Sequence, residues 1–173
     1  MPGYVVISGA PGAGKTTLAG PLAEQLALPL LSHDAIKEAL GDSLGLGDDG
    51  WSRRLGEAAL DAFFAVATTV PDAILDGWWR DDRPARIVAL GRPIVEVFCR
   101  CDPDVLQERA NDRVASGRRH RIHRDWIDPD LLGRLGEIAA GVRPLALGGP
   151  VFEVDTTSHV DVEALAARIA GAG

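Results

Sequence analysis

The sequence predicts an α/β fold with three layers, in which a five-stranded parallel sheet lies between helices. Short apolar runs alternate with helical patterns along residues 1–173, and a glycine-rich loop joins the first run to the first helix. No repeat, low-complexity tract or linker interrupts the alternation. Parallel strands need crossover connections, and helices usually provide them, so the alternation indicates one parallel sheet in a single domain.

The first half of the chain is predicted to supply two strands and three helices. An apolar run at 4–8 precedes the glycine loop, and leucines then recur at helical spacing. A second apolar run at 29–31 leads into a helical stretch that ends at Leu40. Four glycines and three aspartates within 41–50 predict a mobile loop on the substrate side. Beyond it, an apolar face predicts a long helix over 52–70.

The second half is predicted to supply the remaining strands, at 73–76, 94–101 and 151–155. Helices are expected at 81–90, at 103–117, from 129 and from 158 onward. Asp102 and Asp128 each precede a proline, which is a helix-start signal. Asp161 stands three residues after Ser158, in the position that completes a capping box.

Composition excludes several classes of partner. The net charge of −7 argues against a general attraction to nucleic acid or to an anionic membrane. No apolar run approaches the roughly 20 residues that span a bilayer, and the N-terminus lacks a basic signal-peptide start. We therefore expect a cytoplasmic protein with no membrane partner. The two cysteines, Cys99 and Cys101, are expected to be buried reduced thiols.

Charge is unevenly distributed, because one segment of this acidic chain is strongly basic. Six arginines fall between positions 109 and 124. They are Arg109, Arg113, Arg118, Arg119, Arg121 and Arg124. A short basic cluster of this kind suggests a small anionic ligand, not a long polyanion.

The loop after the first strand matches the phosphate-binding pattern G-x-x-x-x-G-K-[ST] without a mismatch. It reads Gly9, Ala10, Pro11, Gly12, Ala13, Gly14, Lys15 and Thr16. Its glycines let backbone amides approach phosphate oxygens, and the N-terminus of the following helix faces the same anion. Lys15 can reach the β- and γ-phosphates, the Thr16 hydroxyl can hold Mg²⁺, and Thr17 can bond an α-phosphate. The sequence thus predicts the P-loop NTPase fold, with ATP and Mg²⁺ bound.

Other parts of the sequence indicate which class of P-loop protein this is. A GTPase needs the motif N-K-x-D to read guanine, and the only asparagine is Asn111. The P-loop and the segments 32–37, 74–77 and 154–157 make the chain similar to small kinases of the nucleoside-monophosphate-kinase-like class. Within it, the chain most resembles the group of chloramphenicol phosphotransferase, zeta-toxin-type kinases and the kinase half of polynucleotide kinase.

That resemblance implies catalytic roles for an acidic residue and for an arginine-rich lid. In the family, an aspartate after the second strand acts as base on the acceptor hydroxyl, and Asp34 matches it. Asp34 could instead cap a helix that starts at Ala35. The lid region at about 109–127 matches the segment that brings arginines to the transferred phosphate. Arg113, Arg118 and Arg119 are the candidates, and a solvated helix face is the alternative.

Further candidates surround these. Asp76 ends the third strand, where a carboxylate can hold Mg²⁺ or touch the substrate. Lys37, one turn beyond Asp34, could meet an acidic group of the substrate or pair with Glu38 or Asp34. Three tryptophans, Trp51, Trp78 and Trp79, could wall the acceptor site or belong to the core. The backbone of Thr156 could read the base, or Thr156 could cap the last helix.

We therefore expect an ATP-dependent phosphotransferase that moves the γ-phosphate to a hydroxyl of a small molecule, such as a metabolite, nucleoside, sugar or antibiotic. A polynucleotide 5′-hydroxyl kinase is one alternative, although the net negative charge argues against a nucleic-acid partner. A regulatory or toxin-like nucleotide-binding protein is the other. The sequence predicts neither the acceptor nor the oligomeric state.

Overall fold

The computed structural model describes residues 3–117, 120–123 and 133–172. Five strands form one parallel sheet in the order β2-β3-β1-β4-β5, which confirms the predicted fold class. The strands are β1 (Tyr4–Gly9), β2 (Leu30–Ser32), β3 (Ala73–Asp76), β4 (Ile94–Arg100) and β5 (Val151–Asp155). The chain leaves central β1 toward one edge and later continues on its other side with β4. A crevice forms at such a reversal, beyond the carboxyl ends of the strands, and the P-loop lies there.

Seven helices cover the two faces of this sheet in the described part of the chain. They are α1 (Lys15–Leu26), α2 (His33–Leu44), α3 (Asp49–Ala67), α4 (Arg83–Val88), α5 (Pro103–Ala115), α6 (Leu135–Gly141) and α7 (Val162–Ala170). None of the helices in the described ranges is long and apolar enough to cross a membrane.

The two faces of β1 build two separate cores. Successive side chains of a strand point to opposite faces, so Val5 and Ile7 belong to one core and Tyr4 and Val6 to the other. The first core includes buried residues of α1, α5, α6 and α7. The second includes buried residues of α3 and α4. These four side chains are at most 1% exposed, so the strand before the P-loop is fixed from both sides.

The predicted loop at 41–50 is wrong over most of its length. Helix α2 continues to Leu44 and α3 begins at Asp49, so only residues 45–48 connect them. Gly41 lies within α2, and the packing of Ile122 explains why this helical position is a glycine. A Cβ at this position would stand 3.2 Å from the Ile122 side chain. The Asp48 carboxylate accepts a hydrogen bond of 2.7 Å from the Trp51 amide and caps α3. Gly41 therefore serves packing, and Asp48 serves capping.

Other predicted boundaries shift for local reasons. Helix α3 ends at Ala67, after which the Thr68 and Thr69 hydroxyls donate to carbonyls of the last turn. The final helix begins at Val162, because the Asp161 carboxylate is itself the cap and accepts from the Ala164 amide at 2.9 Å. The predicted helix start at Asp128 lies outside the described residues.

The two cysteines differ in burial, although both are free thiols. Cys99, near the end of β4, is buried, whereas Cys101 is partly exposed, which corrects the expectation that both are buried. Burial raises the pKa of the Cys99 thiol to about 12. Below pH 9 its thiolate fraction is therefore roughly a thousandfold smaller than that of an ordinary thiol.

We expect iodoacetamide at pH 8 to alkylate Cys99 at least about a thousandfold more slowly in the folded protein than in urea, because the thiolate is rare and the side chain is inaccessible. Mass spectrometry of a Cys101→Ser variant isolates this rate. Labelling of the folded variant as fast as of the unfolded chain would contradict the burial of Cys99.

Candidate active site

The P-loop follows β1 in a conformation that only glycine adopts easily. Gly9 has φ 129°, and a Cβ there would lie 2.4 Å from the Cys99 carbonyl oxygen of β4. Gly12 and Gly14 also have positive φ, of 83° and 78°. Gly14 precedes α1 without a side-chain cap, so the first amides of this helix face the loop. Such a cradle fits the phosphates of a nucleotide.

Lys15 places its ammonium group inside this loop. The Nζ atom donates to the carbonyl oxygens of Gly9, at 3.0 Å, and of Ala10, at 2.8 Å. Burial lowers the pKa of Lys15, while the negative charge of Asp76 opposes this effect. A desolvated ammonium that is held by two carbonyls is well prepared for an anion.

Thr16 and Asp76, the two predicted metal ligands, lie together. The Thr16 hydroxyl donates to the Asp76 carboxylate at 3.0 Å. Asp76 is 3% exposed, and burial raises its pKa, against the opposing effects of the Thr16 hydrogen bond and the Lys15 charge. A hydroxyl and a carboxylate fit Mg²⁺, which prefers oxygen ligands and usually completes its shell with phosphates and water. The described part of the chain contains no cluster of three or more His, Cys, Asp or Glu suited to a metal ion.

A first cavity of about 590 Å³ lies between α1, α5 and the segment after β5. Thr17, Arg109, Arg113 and Thr156 are among its lining residues. The Thr156 hydroxyl donates to the carbonyls of Ala13, at 2.7 Å, and Arg100, at 2.8 Å. Its amide also donates to the Arg100 carbonyl of β4, so the hydroxyl links the residue after β5 to the P-loop and the amide links it to β4. The amide and hydroxyl of Thr156 thus bond within the protein, and its reading of the base stays a prediction. The alternative in which Thr156 caps the last helix is wrong, because Asp161 is that cap.

Arg109 is a residue of this cavity that the sequence analysis did not single out within its cluster. It donates to the Cys101 sulfur at 3.4 Å and to the Thr157 carbonyl at 3.2 Å. The first bond joins α5 to the turn that precedes it, and the second joins α5 to the segment after β5. The spacing of the arginines alone gave no sign of this role.

A second cavity of about 580 Å³ opens on the other side of the P-loop. Its lining residues include Lys15, Asp34, Lys37, Asp76, Trp78, Arg83, Arg113 and His123. Both cavities are lined by Gly12, Gly14, Thr17 and Arg113, so they meet at the P-loop. Two molecules bound in the two cavities would face each other across the phosphate loop.

Asp34 projects into the second cavity from the first turn of α2. The helix begins at His33 and its cap is Ser32, whose hydroxyl oxygen accepts from the Ala35 amide at 3.4 Å. The alternative in which Asp34 caps a helix starting at Ala35 is therefore wrong. The Asp34 side chain is 38% exposed, and the His33 Nδ1 atom lies 3.6 Å from its carboxylate. His33 also contacts the Gly56 carbonyl at 3.1 Å, which links this turn to α3.

The three tryptophans have different surroundings. Trp78 lines the second cavity, where the Arg80 guanidinium lies 4.7 Å from its ring centre. Trp79 is 6% exposed, donates to the Ile7 carbonyl at 2.8 Å and belongs to the core. Trp51 donates to the Gly45 carbonyl at 3.0 Å and lines neither cavity. The predicted aromatic wall is thus reduced to Trp78.

Arg83, for which the sequence predicted no individual role, supports this tryptophan. It donates to the Trp78 carbonyl at 2.7 Å and lines the same cavity.

Of the predicted lid region at about 109–127, the structure describes the helical part and the short segment 120–123. Arg113, on α5, lines both cavities, as a residue that reaches the transferred phosphate must. Arg118 and Arg119 lie outside the described residues. Residues 120–123 pack against α2 and α3, where Ser52 donates to the Ile122 carbonyl at 2.9 Å.

Comparison with known proteins relates the whole chain to kinases. A family model described as an AAA domain matches residues 5–128. A shikimate kinase of Symbiobacterium thermophilum is 30% identical over 151 residues, which are 81% of this chain and 79% of the relative.

Solved structures agree with this relation. A protein of Chloroflexus aurantiacus that is assigned as a kinase is 35% identical and superposes with a TM-score of 0.90, covering 99% of this chain and 98% of its own. The shikimate kinase of Acinetobacter baumannii, solved with shikimate, is 16% identical with a TM-score of 0.61. That alignment covers 98% of this chain and 91% of the other, and it supports the fold alone.

Proposed function

This chain belongs to the AAA domain family and is an ATP-dependent kinase acting on a hydroxyl group, and we propose that Asp34 is the base that activates a small-molecule acceptor. The observation that best supports this is the meeting of two cavities at the P-loop, with Asp34 in the one that α2 and α3 border. Nucleotide would occupy the first cavity and the acceptor the second.

The nucleotide side is built to bind and orient a triphosphate. The P-loop amides and the N-terminus of α1 would hold its phosphates, and the Lys15 ammonium would turn from the carbonyls of Gly9 and Ala10 to the phosphate oxygens. Thr16 and Asp76 are the residues that would hold Mg²⁺. When bound, ATP supplies the phosphoryl group and Mg²⁺ offsets the negative charge around it.

On the acceptor side, Asp34 would orient the hydroxyl and take its proton. The acceptor oxygen forms a bond to the γ-phosphorus while the bond from that phosphorus to the ADP oxygen breaks, and the proton moves to an Asp34 carboxylate oxygen. Arg113 reaches both cavities and would stabilise the charge of the transferred group. We propose that Arg118 and Arg119 join it, and that Trp78 forms part of the acceptor wall.

The Symbiobacterium relative named shikimate kinase favours a small-molecule acceptor over a nucleic-acid end, in agreement with the net charge of −7. The finer grouping with chloramphenicol phosphotransferase, zeta-toxin-type kinases and polynucleotide kinase remains our hypothesis. It rests on the P-loop and on the segments around Asp34, Asp76 and Thr156.

The function is tested by measuring ADP formation from Mg·ATP with and without a panel of hydroxyl compounds. Acceptor-dependent ADP and a phosphorylated product are expected. Hydrolysis at one constant rate, whatever compound is added, would support the regulatory alternative and contradict the proposal.

We expect Asp76→Asn to raise the Mg²⁺ concentration needed for half-maximal activity by roughly 10- to 100-fold, because one negative charge beside the ion is lost. Titration of Mg²⁺ at saturating ATP measures this shift. Asp72→Asn, at the residue just before β3 and far from its carboxyl end, is the matched control and should leave the titration unchanged. An unaltered Mg²⁺ dependence in Asp76→Asn would remove Asp76 from the metal site.

A further inference from the structure

The chain contains only two lysines, and both line the second cavity. Lys15 belongs to the P-loop. Lys37, on α2, is 8% exposed and makes no hydrogen bond or ion pair with the described residues. A buried ammonium without a counter-charge is unfavourable. A group that is kept in this state beside a ligand cavity points to a missing anion.

Among the described residues Lys37 has no carboxylate partner, and the carboxylate next to it in the sequence, that of Glu38, is engaged elsewhere. The Glu38 carboxylate lies 2.9 Å from the Nε2 atom of His123, whose side chain is 2% exposed. On a helix, neighbouring residues face different directions. Glu38 accordingly faces the 120–123 segment, while Lys37 faces the cavity.

The position of His123 is fixed by several contacts of its segment. Ile122 packs directly on the backbone of Gly41, which has no side chain to keep it away. The His120 Nε2 atom lies 3.0 Å from the Asp42 carboxylate, and Ser52 donates to the Ile122 carbonyl at 2.9 Å. The segment therefore lies against both α2 and α3, and the engagement of Glu38 is part of this packing.

The surroundings of the Lys37 ammonium leave room for a ligand. The cavity that Lys37 lines has a volume of about 580 Å³. Gly56 of α3 lies beside the ammonium and has no side chain, whereas a Cβ there would already be in van der Waals contact with Nζ at 3.7 Å. Arg53, Arg80 and Arg83 also line the cavity. Asp34 and Lys37 are three residues apart, so they lie on the same face of α2 one turn from each other.

We propose that the acceptor is an anion: a hydroxyl compound that bears a carboxylate or phosphate group. This inference rests on the proposed function. Lys37 binds the anionic group while the hydroxyl faces Asp34, and His123 keeps Lys37 available by holding Glu38. The specificity of the site for charge then comes from Lys37, and His123 is a positioning residue that acts through Glu38.

The charge of the acceptor is tested without knowing its identity. A bacterial small-molecule extract is separated on an anion exchanger into retained and unretained fractions, and each is incubated with the enzyme and γ-labelled Mg·ATP. We expect label to appear in the retained fraction. Label in the unretained fraction alone, or equally in both, overturns the inference and leaves the kinase function intact. A protein that binds Mg·ATP but labels neither fraction contradicts the proposed function, and this inference with it. Alkaline phosphatase treatment before the assay abolishes labelling if the anionic group is a phosphate and spares it if it is a carboxylate.

Variants then connect the charge to Lys37. Lys37→Met keeps the length of the side chain, and we expect kcat/KM for the retained acceptor to fall about 100-fold or more while KM for ATP stays unchanged. Lys37→Arg should recover part of the loss. In protein labelled with ¹⁵N at the lysine side-chain nitrogen, the NMR signal of Lys37 is identified as the one that Lys37→Met lacks. We expect this signal to shift when the retained fraction is added and to stay in place with Mg·ADP alone. A fall below tenfold in Lys37→Met together with an unmoved signal would overturn the role of Lys37.

His123 and Glu38 are tested as a pair. We expect His123→Ala to raise KM for the acceptor about tenfold with little change in kcat, because the released Glu38 can pair with Lys37. The double variant His123→Ala with Glu38→Gln should return KM to near its original value. If the double variant binds acceptor as weakly as the single one, His123 does not act through Glu38.

Discussion

Replacement of Lys15 by alanine should lower kcat for phosphoryl transfer by roughly a thousandfold or more, since one charged donor aimed at the transferring phosphate is lost. The ammonium is positioned by the carbonyls of Gly9 and Ala10, which arrange it within the P-loop. The backbone of the loop owes its shape to glycines with positive φ, not to this side chain. The chemical step should therefore suffer while the loop persists.

The fold should survive the change. Burial of the Lys15 ammonium lowers its pKa, which means that the charged form is penalised in the folded state. A neutral side chain of similar length, as in Lys15→Met, removes that penalty, and we expect a melting temperature equal to or above that of the original protein. Thermal unfolding followed by circular dichroism measures this.

Arg54→Ala provides the control for the loss of a positive charge. Arg54 is exposed on α3, stacks 5.3 Å from the Trp51 ring and lines neither cavity. Its replacement should leave turnover within about twofold. If Lys15→Ala retained a tenth of the original kcat, the P-loop would not be binding phosphates in the way proposed here.

The parts of the molecule that the sequence predicted well are those that local pattern determines. The P-loop, the five strands and the position of Asp76 at the end of β3 follow from runs of a few residues. The continuous apolar run of β1 is typical of a strand that is covered on both faces, and both faces proved to be buried.

The parts that it missed depend on contacts between distant segments. Gly41 reads as a loop residue until Ile122, 81 positions later, is placed against it. Glu96 is buried at the centre of β4, where the Ser8 hydroxyl and the Leu145 amide donate to it, and no motif marks such a carboxylate. The pair of His123 and Glu38 spans 85 positions.

Packing can also place two neighbouring residues of the same type in different surroundings. Trp78 and Trp79 have the same side chain, yet only Trp78 lines the cavity, because Trp79 packs against Phe63 and bonds the Ile7 carbonyl. The cap of α2 is a different case, since Ser32 is as good a local signal as Asp34. In the structure Ser32 is the cap, and Asp34 lines the second cavity.

Because Ser32 caps α2, Asp34 can be replaced without removing the cap of its helix. We expect Asp34→Asn to lower kcat by roughly 10²- to 10⁴-fold, because the amide can orient a hydroxyl but cannot accept its proton. The affinity for ATP should stay close to normal, since Asp34 lines only the second cavity. Single-turnover kinetics and equilibrium binding of nucleotide separate the two effects.

Two further variants complete the comparison. Asp61→Asn removes an exposed carboxylate of α3 that pairs with Arg86 outside both cavities, and it should leave kcat unchanged. Asp34→Glu keeps a proton acceptor but moves it by one methylene, so we expect activity between those of Asp34→Asn and the original protein. An Asp34→Asn variant that worked within a few-fold of the original rate would mean that another group takes the proton. Asp76, the other carboxylate near Lys15, is a poor substitute, because it is buried and already accepts the hydrogen bond of Thr16.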